Sequence, residues 1–424
     1  MDIKKIVMIA LAYVGVLVGA GFASGQEILQ YFVAFGYQGI VGAVVAALLF
    51  GITGLIALQL GSYYFADEHM DVLDEIAHPW LAKLLDASIT FTCFCIGFVM
   101  IAGAGSNLEQ QFGLPIWVGA LIMAGLIVLV GMMDVEKVTN VIGAITPFMI
   151  VFIVLAAIYA IATTDFSTVD QIDQSARTLP TTLPFSWVSS LNYVAMSLMC
   201  AVSMAIVMGG ALLDLRIARL GGLIGGVIVG ILVVIMTLAL YFQVDFVRAA
   251  DLPMLELINL INPALGSFMS IVILGMIFNT GVGMYYALTA RISRKNPQHF
   301  RPTLIVLVIV GYGLSFLGFK RLVSVLYPLI GYIGLALIGL FLVTFFRDRK
   351  IHRWEGLRRL FVVQKMEQRI DPEQNFTRKD LQELEYMVEK STLENDVLKD
   401  VAHSEALDNL DVEVEAGISG QEKV

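Results

Sequence analysis

Apolar residues are grouped along this chain in runs of about 20, and short charged or turn-forming segments separate the runs. One such run, folded as an α-helix that rises about 1.5 Å per residue, crosses roughly 30 Å of hydrocarbon. The pattern therefore predicts an all-α polytopic membrane protein with about ten transmembrane helices. The predicted spans are residues 5–32, 38–65, 84–110, 115–133, 137–162, 186–213, 219–243, 264–291, 303–318 and 321–346.

The predicted spans divide into two halves of equal length, residues 1–162 and 186–347. Each half holds an odd number of spans, so the second half enters the membrane with the opposite orientation. Such a five-plus-five inverted repeat predicts that residues 1–347 form one transmembrane domain. The first span continues past Leu29 without a small-residue cleavage site, so we interpret it as a retained span rather than a signal peptide. Residues 67–83 have the spacing of a short helix lying in the membrane interface.

Lysine and arginine residues concentrate in alternate connecting segments, and this asymmetry predicts the orientation of the chain. The basic segments are expected on the cytoplasmic side, and an even number of spans places both termini there. The basic residues of these segments are Lys4, Lys5, Arg216, Arg219, Arg291, Arg294, Lys295, Arg301, Arg347, Arg349, Lys350, Arg353, Arg358 and Arg359.

Residues 348–424 differ in composition from the spans and are predicted to form a cytoplasmic tail. The tail begins basic and amphipathic and becomes acidic from about Asp371. Thr377 and Asp380 have the spacing of a helix cap. Both a regulatory segment and a solvated, partly disordered segment fit this composition, and the polar sequence favours the solvated one.

Composition excludes several classes of protein. Of the 424 residues, 58% are hydrophobic and 15% are charged, which a single water-soluble core cannot accommodate. The net charge of -9 arises mainly in the tail, and no segment indicates nucleic-acid binding. The three cysteines lie inside apolar runs, which argues against a disulfide framework or a zinc site. All five histidines lie outside the spans, which contain no HExxH motif and no paired aspartates, so neither an intramembrane enzyme nor a bound cofactor is expected.

The first span contains a glycine-rich segment that is unusual for a lipid-facing helix. Gly19, Gly21 and Gly25 fall within seven residues, and each glycine weakens a helix by roughly 1 kcal/mol relative to alanine. We therefore predict a break in this helix, which is tolerable in a membrane only where it lines an enclosed cavity. Unpaired N–H groups there can bind a carboxylate, and unpaired carbonyl groups can bind a cation. Close packing through two GxxxG pairs is the alternative explanation.

Three further segments are candidates for the same site. The inverted repeat predicts a matching break in the sixth span, between Ser197 and Ala201. Asn279 and Thr280 in the eighth span are candidate Na⁺ ligands, and a hydrogen bond between helices explains them equally well. Glu27 is a carboxylate inside an apolar span. It can support the break, take part in proton coupling, or lie at the outer mouth of the helix, and structural support is the preferred interpretation.

The GAGFASGQE segment, residues 19–27, and the five-plus-five layout resemble the amino acid, polyamine and organocation transporter superfamily, which has the LeuT-like fold. The segment is most similar to the YkvI-type membrane proteins of bacteria. The resemblance covers residues 1–347 and excludes the tail. It implies that broken helices 1 and 6 hold the substrate and that helices 3 and 8 complete the pocket. Helices 1, 2, 6 and 7 would then rock against the remaining helices.

The resemblance also assigns residues to roles by their position. The substrate-binding residues it implies are Gly19, Ala20, Gly21, Phe22, Ser24, Ser197, Met199, Cys200 and Ala201, and Phe94 and Phe98 are expected to extend the apolar wall. The Na⁺-binding residues it implies are Gly15, Val18, Met276, Asn279 and Thr280.

The function that follows is secondary active transport of a small organic solute, expected to be a neutral or branched-chain amino acid, across the inner (plasma) membrane with Na⁺ symport. Some proton-coupled members carry a lysine within helix 5, whereas residues 138–162 contain none and Lys137 lies at the cytoplasmic entrance. This difference favours Na⁺. Proton-coupled transport of another solute and a transporter-like sensor that signals through the tail remain alternatives.

Overall fold

The computed structural model describes residues 3–133, 146–294 and 296–410, apart from the side chain of Ala20. In these residues the regular secondary structure is helical, without a strand. The α-helices are α1 (Ile3–Leu17), α2 (Ala20–Ser24), α3 (Gln26–Tyr31), α4 (Tyr37–Tyr64), α5 (His69–Ile76), α6 (Pro79–Phe112), α7 (Ile116–Gly131), α8 (Thr146–Thr163), α9 (Val169–Arg177), α10 (Ser186–Gly210), α11 (Leu215–Phe242), α12 (Val244–Val247), α13 (Pro253–Ile261), α14 (Pro263–Ile292), α15 (Phe300–Ser315), α16 (Phe319–Ile370), α17 (Arg378–Glu389) and α18 (Asn395–Asn409).

The helices follow the predicted spans closely. Seven of the described helices are long and apolar enough to cross a membrane: α4, α6, α8, α10, α11, α14 and α16. They coincide with predicted spans 2, 3, 5, 6, 7, 8 and 10. Spans 4 and 9 correspond to the 16-residue helices α7 and α15, and span 1 corresponds to the pieces α1, α2 and α3. Lys137 and the rest of residues 137–145 lie outside the described residues.

The order in which the helices pack agrees with two inverted halves. Helix α4 lies against α11, its counterpart in the second half, and α6 lies against α14 in the same way. Helix α1 packs on α11 as α10 packs on α4. That exchange of partners is what a twofold relation between the halves requires, so the five-plus-five layout is confirmed.

Helices α4 and α11 approach closely because glycines line their interface. A Cβ atom on Gly222 would lie 2.2 Å from the carbonyl oxygen of Gly54, and one on Gly226 would lie 2.2 Å from that of Phe50. A spacing of four residues places Gly222 and Gly226 on one face of α11. Small residues at this spacing let membrane helices pack backbone against backbone.

We expect Gly226→Leu to lower the thermal stability of the purified protein, because the new side chain must push α11 away from α4. Overpacking of this kind costs roughly 1–3 kcal/mol. Gly125→Leu on α7 is the matched control, since a Cβ atom there would meet nothing within 4 Å. Equal melting temperatures for the two variants would contradict this packing.

Helix α10 runs from Ser186 to Gly210 without interruption, so the break predicted between Ser197 and Ala201 is wrong. The hydroxyl of Ser197 donates to the carbonyl oxygen of Tyr193 at 2.9 Å, one turn earlier in the same helix. A serine satisfied in this way leaves the backbone ladder intact. The first glycine of the span is Gly209, which lies in the last turn.

Helix α16 continues for 52 residues and carries the chain out of the bundle. Pro328 within this helix cannot donate to the carbonyl of Ser324, and the hydroxyl of Thr182 donates to that oxygen instead, at 3.0 Å. The backbone group is therefore satisfied and the helix stays continuous.

The tail is folded through Asn409 and differs from the solvated segment that its composition favours. Helices α17 and α18 bury apolar residues against the far end of α16 and against Leu213. The predicted cap is present, since Thr377 and Asp380 form a reciprocal capping box at the start of α17. Residues with helical spacing supply enough apolar surface for packing; they are Leu384, Val388, Leu398, Ala402 and Ala406.

Candidate functional site

The predicted break in the first span is present. Helix α1 ends at Leu17 and α2 begins at Ala20, and Gly19 between them has an extended backbone with φ -89° and ψ -178°. The first N–H groups of α2 and the last carbonyl groups of α1 therefore lack partners within their own helices. The two pieces also pack on different elements, because α1 lies on α11 and α10 whereas α2 lies on α14 and α13.

A second break follows at Gly25, between α2 and α3. Gly25 has φ +78°, which favours glycine. A Cβ atom there would lie 2.8 Å from Cγ of Met254 and 3.1 Å from its backbone nitrogen, so space also requires glycine. Met254 belongs to α13, which thus covers the glycine-rich segment on the side opposite the basic connections.

Hydrogen bonds fix α13 and the neighbouring connections on this side of the bundle. The side chain of Gln110 on α6 accepts from the backbone N–H of Leu252 at 3.0 Å and donates to its carbonyl at 3.2 Å. Asn259 on α13 donates to the side chain of Gln111 at 2.9 Å. Asp173 on α9 accepts from the backbone N–H of Tyr37 at 2.7 Å. These bonds fix α13 to α6 and α9 to the start of α4 on this side.

Glu27 lies beside the break. Its carboxylate is 6% exposed, and its Oε2 atom accepts a hydrogen bond from the hydroxyl of Tyr193 on α10 at 3.2 Å. A Cβ atom on Gly21 would lie 1.6 Å from Oε1 of Glu27 and 3.1 Å from the hydroxyl of Tyr327 on α16. The carboxylate thus fills the space next to Gly21 and connects the broken helix to α10.

A second polar link lies beside Glu27. The hydroxyl of Tyr31 donates to Oδ1 of Asn192 at 3.1 Å, and Nδ2 of Asn192 donates to the carbonyl oxygen of Pro328 at 3.0 Å. Helices α3, α10 and α16 are joined by these bonds. Sequence reasoning missed Asn192, Tyr193 and Tyr327; polar and tyrosine side chains inside apolar spans are the signal that could have found them.

The predicted substrate residues do not all meet at the break. Ser24 is buried and its hydroxyl donates to the carbonyl of Gly21 at 2.7 Å, so it stabilises α2. Phe22 is buried, and the side chain of Ala20 is outside the described set. On α10, Met199 packs toward Gly334 of α16.

The remaining predicted wall residues lie on α10 and α6. Cys200 is half-buried with its sulfur 4.0 Å from that of Met196, and Ala201 is buried. Phe94 and Phe98 on α6 form an edge-to-face pair with centroids 5.3 Å apart. The Cβ atom of Phe98 lies near Gly311 of α15, so this side chain starts toward that helix rather than toward the break.

Of the predicted Na⁺ ligands, Thr280 is the residue placed at the break. Its hydroxyl oxygen would lie 3.8 Å from a Cβ atom on Gly19. Val18 and Met276 are buried, whereas Gly15 and Asn279 are exposed. Val18 belongs to the broken segment itself, because α1 ends at Leu17 and α2 begins at Ala20.

On the basic side, a chain of hydrogen bonds joins α10 to α6 and α14 through α5, the short helix predicted after the second span. Nδ1 of His69 lies 3.0 Å from the hydroxyl of Ser203, and Nε2 lies 3.0 Å from Asp86, which also binds Arg291. Burial, with a smaller effect of Arg291, lowers the pKa of His69 to about 4. The imidazole is therefore neutral at pH 7, accepting from Ser203 and donating to Asp86.

We compared the sequence and the fold of this chain with those of known proteins. No family model matches the chain. Its sequence is similar to the uncharacterized membrane protein YkvI of Bacillus subtilis (strain 168), with 27% identity over 336 residues that cover 78% of this chain and 93% of that protein. It is also similar to the uncharacterized protein YyaD of the same organism, with 25% identity over 329 residues, 77% of this chain and 93% of that protein.

Two solved structures share the arrangement of helices. MhsT in complex with L-phenylalanine superposes with a TM-score of 0.57 at 14% identity, covering 97% of this chain and 98% of that one. Mhp1, a nucleobase-cation-symport-1 family transporter with bromovinylhydantoin bound, superposes with a TM-score of 0.51 at 12% identity, covering 93% and 96%. The chain has the LeuT-like fold. The fold that the resemblance implies is thereby confirmed, and the chain is a multi-pass membrane protein.

Proposed function

We propose that this chain is a secondary active transporter that carries a small organic solute, an amino acid, across the membrane by alternating access with Na⁺ symport. The observation that carries the proposal is the extended backbone at Gly19, enclosed by α13 and α14 within a LeuT-like bundle. Interrupted helices deep in a membrane are found where a solute or ion binds. The likeness to MhsT with bound L-phenylalanine supports an amino acid as the solute.

The break offers complementary groups for an amino acid and a cation. The N–H groups of Ala20, Gly21 and Phe22 at the start of α2 suit a carboxylate. The carbonyl groups of Gly15 and Val18 at the end of α1, together with Thr280, suit Na⁺. Na⁺ held by both sets of groups would join the end of α1 to α14.

Alternating access in this chain would require α10 to part from α6 and α14 on the basic side. The hydrogen bonds of His69 are the contacts that would break, because they join Ser203 on α10 to Asp86 on α6. On the opposite side, α13 would release the glycine at position 25. We place the basic side in the cytoplasm and the protein in the plasma membrane of a bacterial-type cell.

Uptake into liposomes tests the proposal directly. Purified protein is reconstituted and assayed with a panel of radiolabelled amino acids, with Na⁺ and proton gradients imposed separately. We expect saturable uptake of at least one neutral amino acid that depends on the Na⁺ gradient, and we expect Thr280→Val to raise the Na⁺ concentration needed for half-maximal uptake. The matched control is Thr168→Val, a threonine in the connection outside the bundle.

Other outcomes would redirect the assignment. If no amino acid is taken up and none raises the melting temperature, the amino-acid substrate is wrong. If flux follows the proton gradient and ignores Na⁺, the alternative is proton coupling through Glu27, which is supported by its burial against the break and its bond from Tyr193. In that case Glu27→Gln should abolish the proton-driven flux while Thr280→Val leaves it unchanged.

A further inference from the structure

A basic cavity lies outside the bundle, where α11 begins and α16 leaves the predicted membrane span. Its volume is about 680 Å³. Its walls come from the start of α11, the last part of α4 and the continuation of α16 beyond Phe345. It lies on the basic side of the protein and is separate from the break in the first span.

Cationic side chains dominate this cavity. Arg216 and Arg219 line it from α11, and Arg349, Lys350 and Arg353 line it from α16. Among the described residues that line it there is no carboxylate, and none of the five cations forms an ion pair within the described ranges. A group of like charges on facing helices produces a strongly positive potential that favours an anion.

The nearby carboxylates are already bound elsewhere. Asp214 caps α11 by accepting from the backbone N–H of Arg216 at 2.7 Å. Asp348 pairs with Arg347 at 2.8 Å, and Glu355 pairs with Arg359 at 2.9 Å. None of these three carboxylates forms an ion pair with a cation that lines the cavity, among the ion pairs of the described residues.

Two buried polar groups on the cavity lining also lack partners. His352 is 2% exposed and Gln59 is 6% exposed, and Nδ1 of His352 lies 3.2 Å from Nε2 of Gln59. Since that amide nitrogen donates, Nδ1 accepts and Nε2 carries the hydrogen. Nε2 of His352 and Oε1 of Gln59 have no partner in the described residues. Buried polar groups are normally satisfied, so we expect water or a bound ligand to complete these two groups.

We propose that this cavity binds a phosphate-bearing anion. Arginine and lysine supply the charge-assisted bonds that phosphate oxygens accept. Trp354 and Leu357 are exposed next to the cations, shortly after the predicted span ends, and Trp is enriched where a helix leaves the bilayer through its interface. The headgroup of an anionic phospholipid is therefore the expected source, and a soluble phosphate is the other source of the same chemistry.

An anion bound in the basic cavity would affect the packing of the helix bundle as well as neutralise the cations of the cavity. Gln59 and Arg219 belong to α4 and α11, two helices of the group proposed to move, whereas Arg353 belongs to α16. A ligand held by both walls stabilises the conformation in which they lie together. The proposal concerns binding alone and stands whether or not the chain transports an amino acid.

Binding to the purified full-length protein tests the site. Dioctanoyl phosphatidylglycerol, dioctanoyl phosphatidylcholine and inorganic phosphate are titrated separately, with native mass spectrometry and thermal stability as readouts. We expect the wild-type protein to prefer phosphatidylglycerol over phosphatidylcholine, with binding that weakens as salt is added. The double variant R219Q/R353Q should bind about tenfold more weakly or worse, because each cation near a membrane surface contributes on the order of 1 kcal/mol.

The control is Arg301→Gln, an exposed cation on the same side that does not line the cavity. Both altered arginines of R219Q/R353Q are exposed, so the fold should remain, and melting without added ligand checks this. Binding of phosphate but not of the lipid, lost in the double variant, would support the site and assign it to a soluble anion. Equal binding by the double variant and the control, or no binding of either anion, would overturn the proposal.

Discussion

Replacing Gly21 with leucine is expected to abolish solute binding and transport while leaving membrane insertion intact. A Cβ atom at this position would lie 1.6 Å from Oε1 and 2.7 Å from Cδ of Glu27. The carboxylate must therefore move, and its hydrogen bond from Tyr193 is lost. Leaving buried polar groups unpaired costs about 1–3 kcal/mol each. The leucine side chain must also displace the hydroxyl of Tyr327, 3.1 Å from the same Cβ position.

The measurement combines uptake into liposomes with ligand-induced stabilisation of the purified protein. Gly339→Leu on α16 is the matched control, because a Cβ atom there would meet nothing within 4 Å, and it should transport at the wild-type rate. Gly21→Ala should give an intermediate effect, since its methyl group disturbs Glu27 but is too small to fill the site. Wild-type uptake by Gly21→Leu would show that the space beside Gly21 has no part in transport.

The break in the first span was predictable from sequence because the cluster of glycines that causes it is a local feature of the chain. Glycine weakens a helix through its own backbone, so a cluster of glycines carries a local signal. Gly19 is extended and Gly25 has a positive φ, which are properties of the residues themselves. The apolar runs are equally local, and the spans they predict agree with the helices of the described residues.

The second predicted break was wrong because it depended on symmetry rather than on the residues. Serine and cysteine can remain in a helix when a carbonyl one turn earlier accepts from the side chain, as the carbonyl of Tyr193 does for Ser197. The contact between Asn192 and Pro328 joins residues more than a hundred positions apart. The contact between Glu27 and Gly21 joins residues on opposite sides of the break at Gly25. No spacing in the sequence encodes such contacts, so the polar cluster beside the break became visible only in the fold.

The packing of the tail was also not predictable from its composition. Its polar composition favours a solvated segment, yet a few apolar positions bring α17 and α18 onto α16. A single buried residue, Arg359, then ties α16 to the bundle. Arginine in a sequence is ordinarily an exposed residue, and its burial here depends on carbonyl groups contributed by a helix nearly three hundred residues earlier.

Replacing Arg359 with methionine is expected to destabilise the protein by about 3–5 kcal/mol, the usual effect of removing one partner of a buried ion pair. Arg359 is 1% exposed. Its guanidinium donates to the carbonyl oxygens of Ser62 and Tyr63 at 2.7 Å each and to Glu355 at 2.9 Å. Ser62 and Tyr63 lie in the last turn of α4, where carbonyl groups lack partners within the helix. Methionine would leave the carbonyl of Tyr63 unsatisfied, the carbonyl of Ser62 with only the N–H of Phe65 as a donor, at 3.2 Å, and Glu355 without its buried partner.

Thermal unfolding and limited proteolysis of the purified protein measure the effect. Arg358→Met is the matched control, because Arg358 binds the same carboxylate at 2.6 Å but its side chain is 25% exposed, against 1% for Arg359. Loss of Arg358 leaves Glu355 with its buried partner, so the variant should lose less stability. The double variant R359M/E355Q should recover part of the lost stability by removing the unpaired charge. If Arg359→Met melts like Arg358→Met and its tail resists protease equally, the tail is not anchored through α4. Loss of both stability and protease resistance would instead mean that the tail and the second membrane span form one cooperative unit, so that a change in the tail can reach the helices that surround the break.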